Sequence, residues 1–546
     1  RGARERAAAW GLRRRALAGA ALAGAAAGSL LAAAPAARAQ AQAPRRGGTL
    51  VVAADGEPRN LNPAIVASNG VFFVASKVIE PLAEMSRGGD GLVPRLATSW
   101  SGSPDGRSAT FRLREGVAWH DGRPFGSADV AFSALEVWRK LQNLGRSVFR
   151  DLEAVETPDP ATAIFRFSAP TPFQLLRNAL PALTSVLPRH LYEGTDIAAN
   201  PANRNLVGTG PFRFAGHRPG EYYRLERNPA YREAGRPYLD AIVYRVLPDR
   251  AAVASALEAN QIQLSAFSAV PLADLARIAA VPGIKVIPEG YEGITYQLVV
   301  EINHRRRELA DPRVRHAIAH AIDRRFVVDA IFLGHARPSN GPVPAWDTQF
   351  HAADVAPAAF DVARANALLD EAGHPRGAGG MRFRLRILPA PWFEQTRQMG
   401  DYLRQALRAI GIDAQVVAND SAAHTRAVYT THDFDLAIGS PVYRNDPGIS
   451  TTILYEGGLP AGVPFSNQYG YASAEMDALL GRAARSIDAA ERSALYRDFQ
   501  VLAARDLPIV HVAEFSFLTV ARDSVRNVAG NPRWATSHWD DAWLAG

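Results

Sequence analysis

Cysteine is absent from all 546 residues, and that absence excludes disulfides, thiolate nucleophiles and cysteine-ligated metals together. It also excludes the lipid tether of a bacterial lipoprotein, which needs a cysteine at its cleavage site. Lysine is nearly missing: Lys77, Lys140 and Lys285 are the only three, so arginine carries the positive charge. Beside the abundant alanine this reads as genome composition and implies no function. Past Ala34 no stretch offers the roughly 20 consecutive apolar residues that a membrane span requires. Motifs for covalent or phosphate chemistry are missing as well, since neither a G-x-S-x-G elbow nor a G-x-x-x-x-G-K-[ST] loop occurs.

Excess charge is scarce too, once its location is considered. The formal net charge of +7 would by itself suit a nucleic-acid partner. Seven arginines against the single acid Glu5 place +6 of it within residues 1–39, leaving +1 for everything that follows. So nearly neutral a body has no electrostatic footprint for a phosphate backbone, and the reading is of no nucleic-acid partner.

What the N-terminal segment does contain is an export pattern. Arg13-Arg14-Arg15 precede an Ala/Gly/Leu run from Ala16 to Ala34, and Ala37-Arg38-Ala39 puts small residues where a signal peptidase reads. The expectation is a signal peptide over 1–39, cleaved before Gln40, that delivers a soluble protein to a periplasm. Paired arginines with Leu17 close behind, ahead of a weakly hydrophobic run, resemble a twin-arginine leader. The hydroxyl residue before the pair and the lysine after it are missing, so a general secretory route stays open.

The full sequence is 47% hydrophobic with the apolar residues evenly spread, and it is too long for a single core. Thr49 to Ala54 reads as a strand, and Asn60-Leu61-Asn62-Pro63 as the turn after it. Val71 to Leu82 supplies the apolar face of a helix that starts near Ser68. Ser103-Pro104-Asp105-Gly106 turns a hairpin, and Asp129 to Lys140 forms a helix. Further helices are expected over Arg250–Asn260, Ala363–Ala372 and Thr396–Ile410. Strands are expected near Tyr291–Asn303, Phe434–Ile438 and Leu507–Phe517.

The stretch from Asn205 to Asp249 combines these signals in an unusual order. Gly208 and Gly210 flank Thr209 ahead of Pro211, where glycine grants backbone freedom and proline fixes the next angle. Phe212 and Phe214 then sit two apart, and Tyr222 to Arg227 alternates apolar with charged, which predicts a half-buried hairpin. Asn228-Pro229 breaks the run, Tyr231 and Tyr238 bracket a polar loop, and Ala241 to Leu247 reads as a buried strand.

That order, GTGPF, then RNPAYREAGRPYLD, then a strand ending in Pro-Asp, resembles the family 5 extracellular solute-binding proteins of ABC importers for dipeptides, oligopeptides and nickel chelates. Arg46 to Ala64, Leu92 to Ser133 and Asp311 to Val328 resemble further blocks of the family in its own order. The resemblance implies an α/β, two-lobed periplasmic binding protein fold of type II with an extra inserted subdomain and two hinge crossings. Residues 40–90 and 205–290 would form the first lobe, 91–204 its insert, 291–511 the second lobe, and 512–546 a C-terminal return.

Binding between two lobes needs aromatic walls, convergent polar groups and a counter-charge for each ligand charge. Tyr443, Arg444, Asn445 and Asp446, leaving the strand over 434–438, are the foremost candidates. In the peptide-binding members an aspartate in this D-P context holds the ligand's α-ammonium group, and the resemblance assigns that role to Asp446. The departure is Gly448 and Ile449, where those members continue with another aspartate and an aromatic. Trp392, Tyr296 and Gln297 are secondary candidates, with Asn62 and Ser68 on the first loop. Trp100 and Trp119 read as packing.

The implied function is capture of a small solute, a peptide or amine-bearing compound, and its delivery to permease subunits whose partner ATPases act indirectly. No cofactor, no metal and no catalytic residue is assigned, and the protein is expected to be a monomer. An exported hydrolase acting on peptides or glycans is the rival. His316 and His320 have the i, i+4 spacing of a zinc pair, but Ala317 stands where a metalloprotease needs glutamate, so a solvated helix face is the better reading. His120-Asp121-Gly122 reads as a hairpin turn above Trp119.

Overall fold

The computed structural model describes residues 43–546, apart from residues 55, 59, 67 and 90. The expected signal peptide and its cleavage point at Ala39/Gln40 lie outside the described residues.

Two seven-stranded sheets organise the chain. In the first, strand Thr49–Ala54 lies parallel to Ala241–Val246, with Thr49 opposite Ala241 and Ala54 opposite Val246. Parallel neighbours need a long crossover, and here the whole stretch between Asp55 and Pro211 supplies it. The predicted hairpin then extends this sheet as Phe212–Arg218 and Tyr222–Arg227.

Inside that crossover sits a four-stranded antiparallel sheet, in the order Ala97–Gly102, Ser108–Leu113, Thr162–Phe167 and Leu152–Asp159. Alternate residues Ala109, Phe111 and Leu113 face its buried side, where Phe111, Phe165, Phe149 and Trp138 pack together. The helix expected from Asp129 is present as Ser127–Phe132 and widens into a π-turn over Ser133–Trp138.

The second sheet carries Thr295–Ile302 at its centre, flanked by Ile509–Phe515 and Leu436–Gly439. Thr295–Ile302 is buried along nearly its whole length because both its faces are covered. Leu298, Val300 and Ile302 enter one core with Leu385, Ile387 and Leu403, while Val299 enters another with Tyr443, Tyr455 and Phe499. The helices Val362–Glu371 and Glu394–Ala409 lie within two residues of their expected bounds, and Met399, Leu403 and Leu407 of the latter are buried.

The chain passes from the first sheet to the second between Ile284–Ile287 and Thr295–Ile302. It returns between Ile509–Phe515 and Thr519–Arg522, a few residues later than the expected position at 511. Tyr296 and Phe393 pack against the cores of both lobes at these crossings.

The glycines of the 205–249 stretch are required for a reason other than unusual backbone angles. A Cβ on Gly208 would lie 1.8 Å from the Val78 carbonyl oxygen, and one on Gly210 would lie 2.5 Å from that of Lys77. The loop presses flat on the end of helix Asn69–Ala75, and Gly210 N–H donates to Val78 O while Phe212 N–H donates to Lys77 O. Those carbonyls are therefore used outside the helix, which stops at Ala75 instead of running to Leu82.

Candidate functional site

Between the lobes, side chains from both meet beside the crossing strand. Helix Asn69–Ala75 of the first lobe is capped by Ser68, whose hydroxyl accepts from Val71 N–H. Its Asn69 Nδ2 donates to the Tyr296 hydroxyl at 2.9 Å. From the second lobe, Asn445 Nδ2 points at the Met85 sulfur of the first at 3.5 Å, and Asn178 of the insert donates to the Asn445 carbonyl at 3.2 Å. Gln174 and Gln349 exchange amide hydrogen bonds across the same divide, and Arg150 pairs with Glu456 at 3.5 Å. The lobes are thus closed on one another, held by exposed or half-buried polar contacts, each worth about 1 kcal/mol or less.

Asp446 does not offer the free carboxylate expected of it. Its side chain is wholly buried, and both oxygens accept from Arg492, at 2.6 and 2.8 Å, in a bidentate pair. The same carboxylate caps the short helix Pro447–Ser450 through Gly448 N–H at 2.9 Å. Burial of a carboxylate demands this compensation, and the Arg492 fork, itself buried over the rings of Phe350 and Tyr496, supplies it. The signal for this partner was present in the sequence: Arg492 shares the buried stripe of helix Ala489–Asp506 with Leu495, Tyr496 and Phe499, and an arginine on an apolar stripe needs acceptors inside the protein.

Three other expected site residues are buried and hydrogen-bonded within the protein. Asn62 is fully buried in the first lobe, donating to Tyr192 and Asn203 side chains while accepting from Ala64 N–H. Gln297 is buried and donates to Gly341 O at 3.0 Å. Tyr443 is buried with its hydroxyl given to Asp347, whose own carboxyl is raised by burial. Trp392 is half-buried on the second lobe; its indole N–H donates to Ser440 Oγ at 3.1 Å and its ring meets His424 and Phe465 edge-on.

Arg444 is different. It is 93% buried, and among the described residues its Nε has no acceptor and no ion pair engages its guanidinium. Burial lowers its pKa, with the Tyr296 hydroxyl nearby in opposition. Asn445 beside it holds a left-handed backbone, φ 61°, and leaves its Oδ1 buried without a donor. Sequence reasoning missed Arg533, which comes to the same place: a Cβ on Gly293 would lie 2.8 Å from Arg533 Cγ and 3.1 Å from the Met85 sulfur that Asn445 meets. This arginine follows the second crossing and is also buried, with a single bond from Nη1 to Gly293 O at 3.3 Å. Burial first and then the charge of Arg444 pull its pKa down to about 9. It lies in an irregular loop, where no periodicity marks a buried position.

Beneath Arg533 the first lobe holds a balanced ionic network. Glu80, Glu84, Glu233 and Asp540 face Arg95, Arg232, Arg236 and His538. The 205–249 stretch contributes to it directly: Thr209, Tyr231 and Arg232 all donate to Glu80. Burial opposes the charge on His538, and Arg95 adds to that, but Glu84 and Asp540 on either side outweigh both and push it up to about 9.

The histidines that raised catalytic possibilities have other partners. His316 and His320 are engaged with the carbonyls of Arg505 and Ala359. Both are half-buried and line, with His351 and His511, a pocket of about 210 Å³ in the second lobe. No first-lobe residue lines that cavity, so a solute there could not bridge the lobes. His120 closes its hairpin turn as expected and accepts from Gly208 N–H at Nδ1 while Nε2 meets Gly210 O.

Comparison with known proteins places these features in a lineage. Residues 91–462 match the family described as bacterial extracellular solute-binding proteins, family 5 Middle. The glutathione-binding protein GsiB of Pectobacterium atrosepticum is 26% identical over 77% of this chain and 80% of its own. The dipeptide-binding protein of Escherichia coli is 24% identical over 89% of this chain and 92% of its own. Among solved structures, the oligopeptide-binding protein AppA of Bacillus subtilis, in complex with a nonapeptide, superposes with a TM-score of 0.79. That superposition covers 92% of this chain and all of AppA, at 23% identity.

Proposed function

Because the chain belongs to the family 5 bacterial extracellular solute-binding proteins, we propose that it captures a peptide or similar small solute between its two lobes and hands it to an ABC importer. The observation that carries this reading is the pair of crossings, at 288–294 and 516–518, that joins two separately cored lobes. A solute touching both lobes binds the closed form better than the open one, so it shifts the hinge equilibrium by that difference in affinity. The closed form is what docks on the permease, and ATP is hydrolysed by partner subunits.

Relatives that bind glutathione, dipeptides and a nonapeptide support a peptide-like solute. A peptide would be held largely through its backbone, with side chains in wet, tolerant pockets. The protein acts as a monomer and by binding without turnover. It reaches the periplasm through a leader cleaved near Ala39, on a twin-arginine or a general secretory route. Among the described residues no helix is long and apolar enough to cross a membrane. The first lobe is taken to comprise 40–90, the insert 91–204, and 205–290, with the hinge opening at 290/291.

Native mass spectrometry of protein isolated without unfolding tests the proposal. The expected spectrum shows an adduct of peptide mass that is released chemically unchanged. Steady conversion of that adduct by catalytic amounts of protein would replace the binding reading with the hydrolase.

A further inference from the structure

Other buried guanidinium groups among the described residues find several acceptors or an acid. Arg492 forks onto Asp446, and Arg315 gives its donors to the carbonyls of Leu309, Ala310 and Asp506. Arg324 bonds the carbonyls of Ala358 and His511. The exception is the pair that meets between the lobes, Arg444 from the second and Arg533 from the first. A guanidinium has five N–H donors and does not discharge at physiological pH. Among the described residues the Arg444 Nε is buried without an acceptor, and Arg533 makes one long bond, from Nη1 to Gly293 O at 3.3 Å.

Among the described residues no acid is available to them. Glu84 is the carboxylate whose charge reaches Arg533, and it is engaged at 3.0 Å with Arg95 and also paired with His538. Four acids face four bases in that network, so the two arginines are a surplus of positive charge. Two buried like charges with no acid of their own are an arrangement that costs the folded protein stability unless an anion completes it.

Resting on the solute-binding reading above, we infer that Arg444 and Arg533 receive a carboxylate of the solute, one guanidinium from each lobe, and that this anion draws the lobes shut. The orphaned Asn445 Oδ1, next to Arg444, accepts an N–H from the same molecule. The solute class is therefore a small organic acid with an amide or amine nitrogen close to its carboxylate, as at the C-terminal residue of a peptide. In this arrangement the α-ammonium group is not the anchor, in keeping with the closure of Asp446 by Arg492. Guanidinium forks on a carboxylate give strong, directional bonds.

The test uses three matched mixtures of dipeptides: free, N-acetylated, and C-terminally amidated. Thermal shift and calorimetry on the whole protein are expected to show binding of the free and N-acetylated sets and loss of the amidated set. Arg444→Gln and Arg533→Gln should each weaken binding of the free set by about 30-fold or more. Without added peptide, each variant should melt at or above the temperature of the unaltered protein, since an uncompensated charge has been removed. Equal binding of free and amidated sets overturns the inference and leaves the solute-binding reading standing. So does a clear fall in the melting temperature of both ligand-free variants, which would make the arginines structural. Binding of none of the three sets overturns the inference together with the peptide reading.

Discussion

Replacing Asp446 with alanine separates two roles for this residue. As a ligand anchor, its loss would abolish binding and spare the fold. As the partner of Arg492, its loss leaves a guanidinium that is 1% exposed with only the Tyr496 hydroxyl at 3.1 Å and the Ala483 carbonyl at 3.3 Å for company. Removing one member of a fully buried ion pair costs about 3–5 kcal/mol. The lost cap at Gly448 adds roughly 1 kcal/mol. Against a usual folding free energy of about 5–15 kcal/mol, that is a large share. Denaturant unfolding with hydrogen exchange read across the second lobe should show the loss there first. The double variant Asp446→Leu with Arg492→Met should regain most of it, because apolar replacement of both partners removes the stranded charge. If Asp446→Ala stayed within about 0.5 kcal/mol of the parent while losing affinity for free dipeptides, the structural reasoning would be refuted.

The remaining predictions concern the scaffold. His538 is raised to about 9 from 6.5 by Glu84 and Asp540, against burial and Arg95. Its charged form therefore stabilises the fold fully below about pH 6.5, and the contribution is lost as pH rises through about 9. Denaturant midpoints should fall over that window, and His538→Gln should flatten the fall; an unchanged profile in that variant would place the titration elsewhere. Gly208→Ala drives a methyl group into the Val78 carbonyl and should cost roughly 1–3 kcal/mol or more. Gly481→Ala, inside helix Ala474–Ala483 with open space around its Cβ, should instead stabilise by about 0.8–1 kcal/mol. Equal effects of the two in the same unfolding assay would contradict the packing described.

Much of the scaffold is legible in the sequence because its determinants are local. Strand Thr49–Ala54, the hairpin at 212–227 and the helix at Glu394–Ala409 follow from alternation, turn residues and a 3.6-residue stripe. The glycines at 208 and 210 were readable as necessary, but their reason, contact with the end of a helix 130 residues earlier, was not. The binding groups were harder still. Asp446 is paired with a residue 46 positions away, and a D-P dipeptide looks alike whether its carboxylate faces a ligand or an arginine. Asn62 sits in a loop, which suggested exposure, yet its three side-chain bonds bury it. Arg444 was identified for its place after a strand, whereas Arg533 became visible only when the second crossing carried the C-terminal segment back to the cleft.

The absence of cysteine makes one decisive measurement simple. Gln174→Cys and Gln349→Cys place two thiols, the only ones in the protein, where the insert and the second lobe touch. Joined by a short bis-maleimide, they hold the lobes together, and exchange of free dipeptides can be timed before and after joining. If solute binds between lobes that open and close, the joined protein neither takes up nor releases dipeptide, while the unjoined variant exchanges it as the parent does. Exchange at the parent's rate in the joined protein would contradict binding in the cleft.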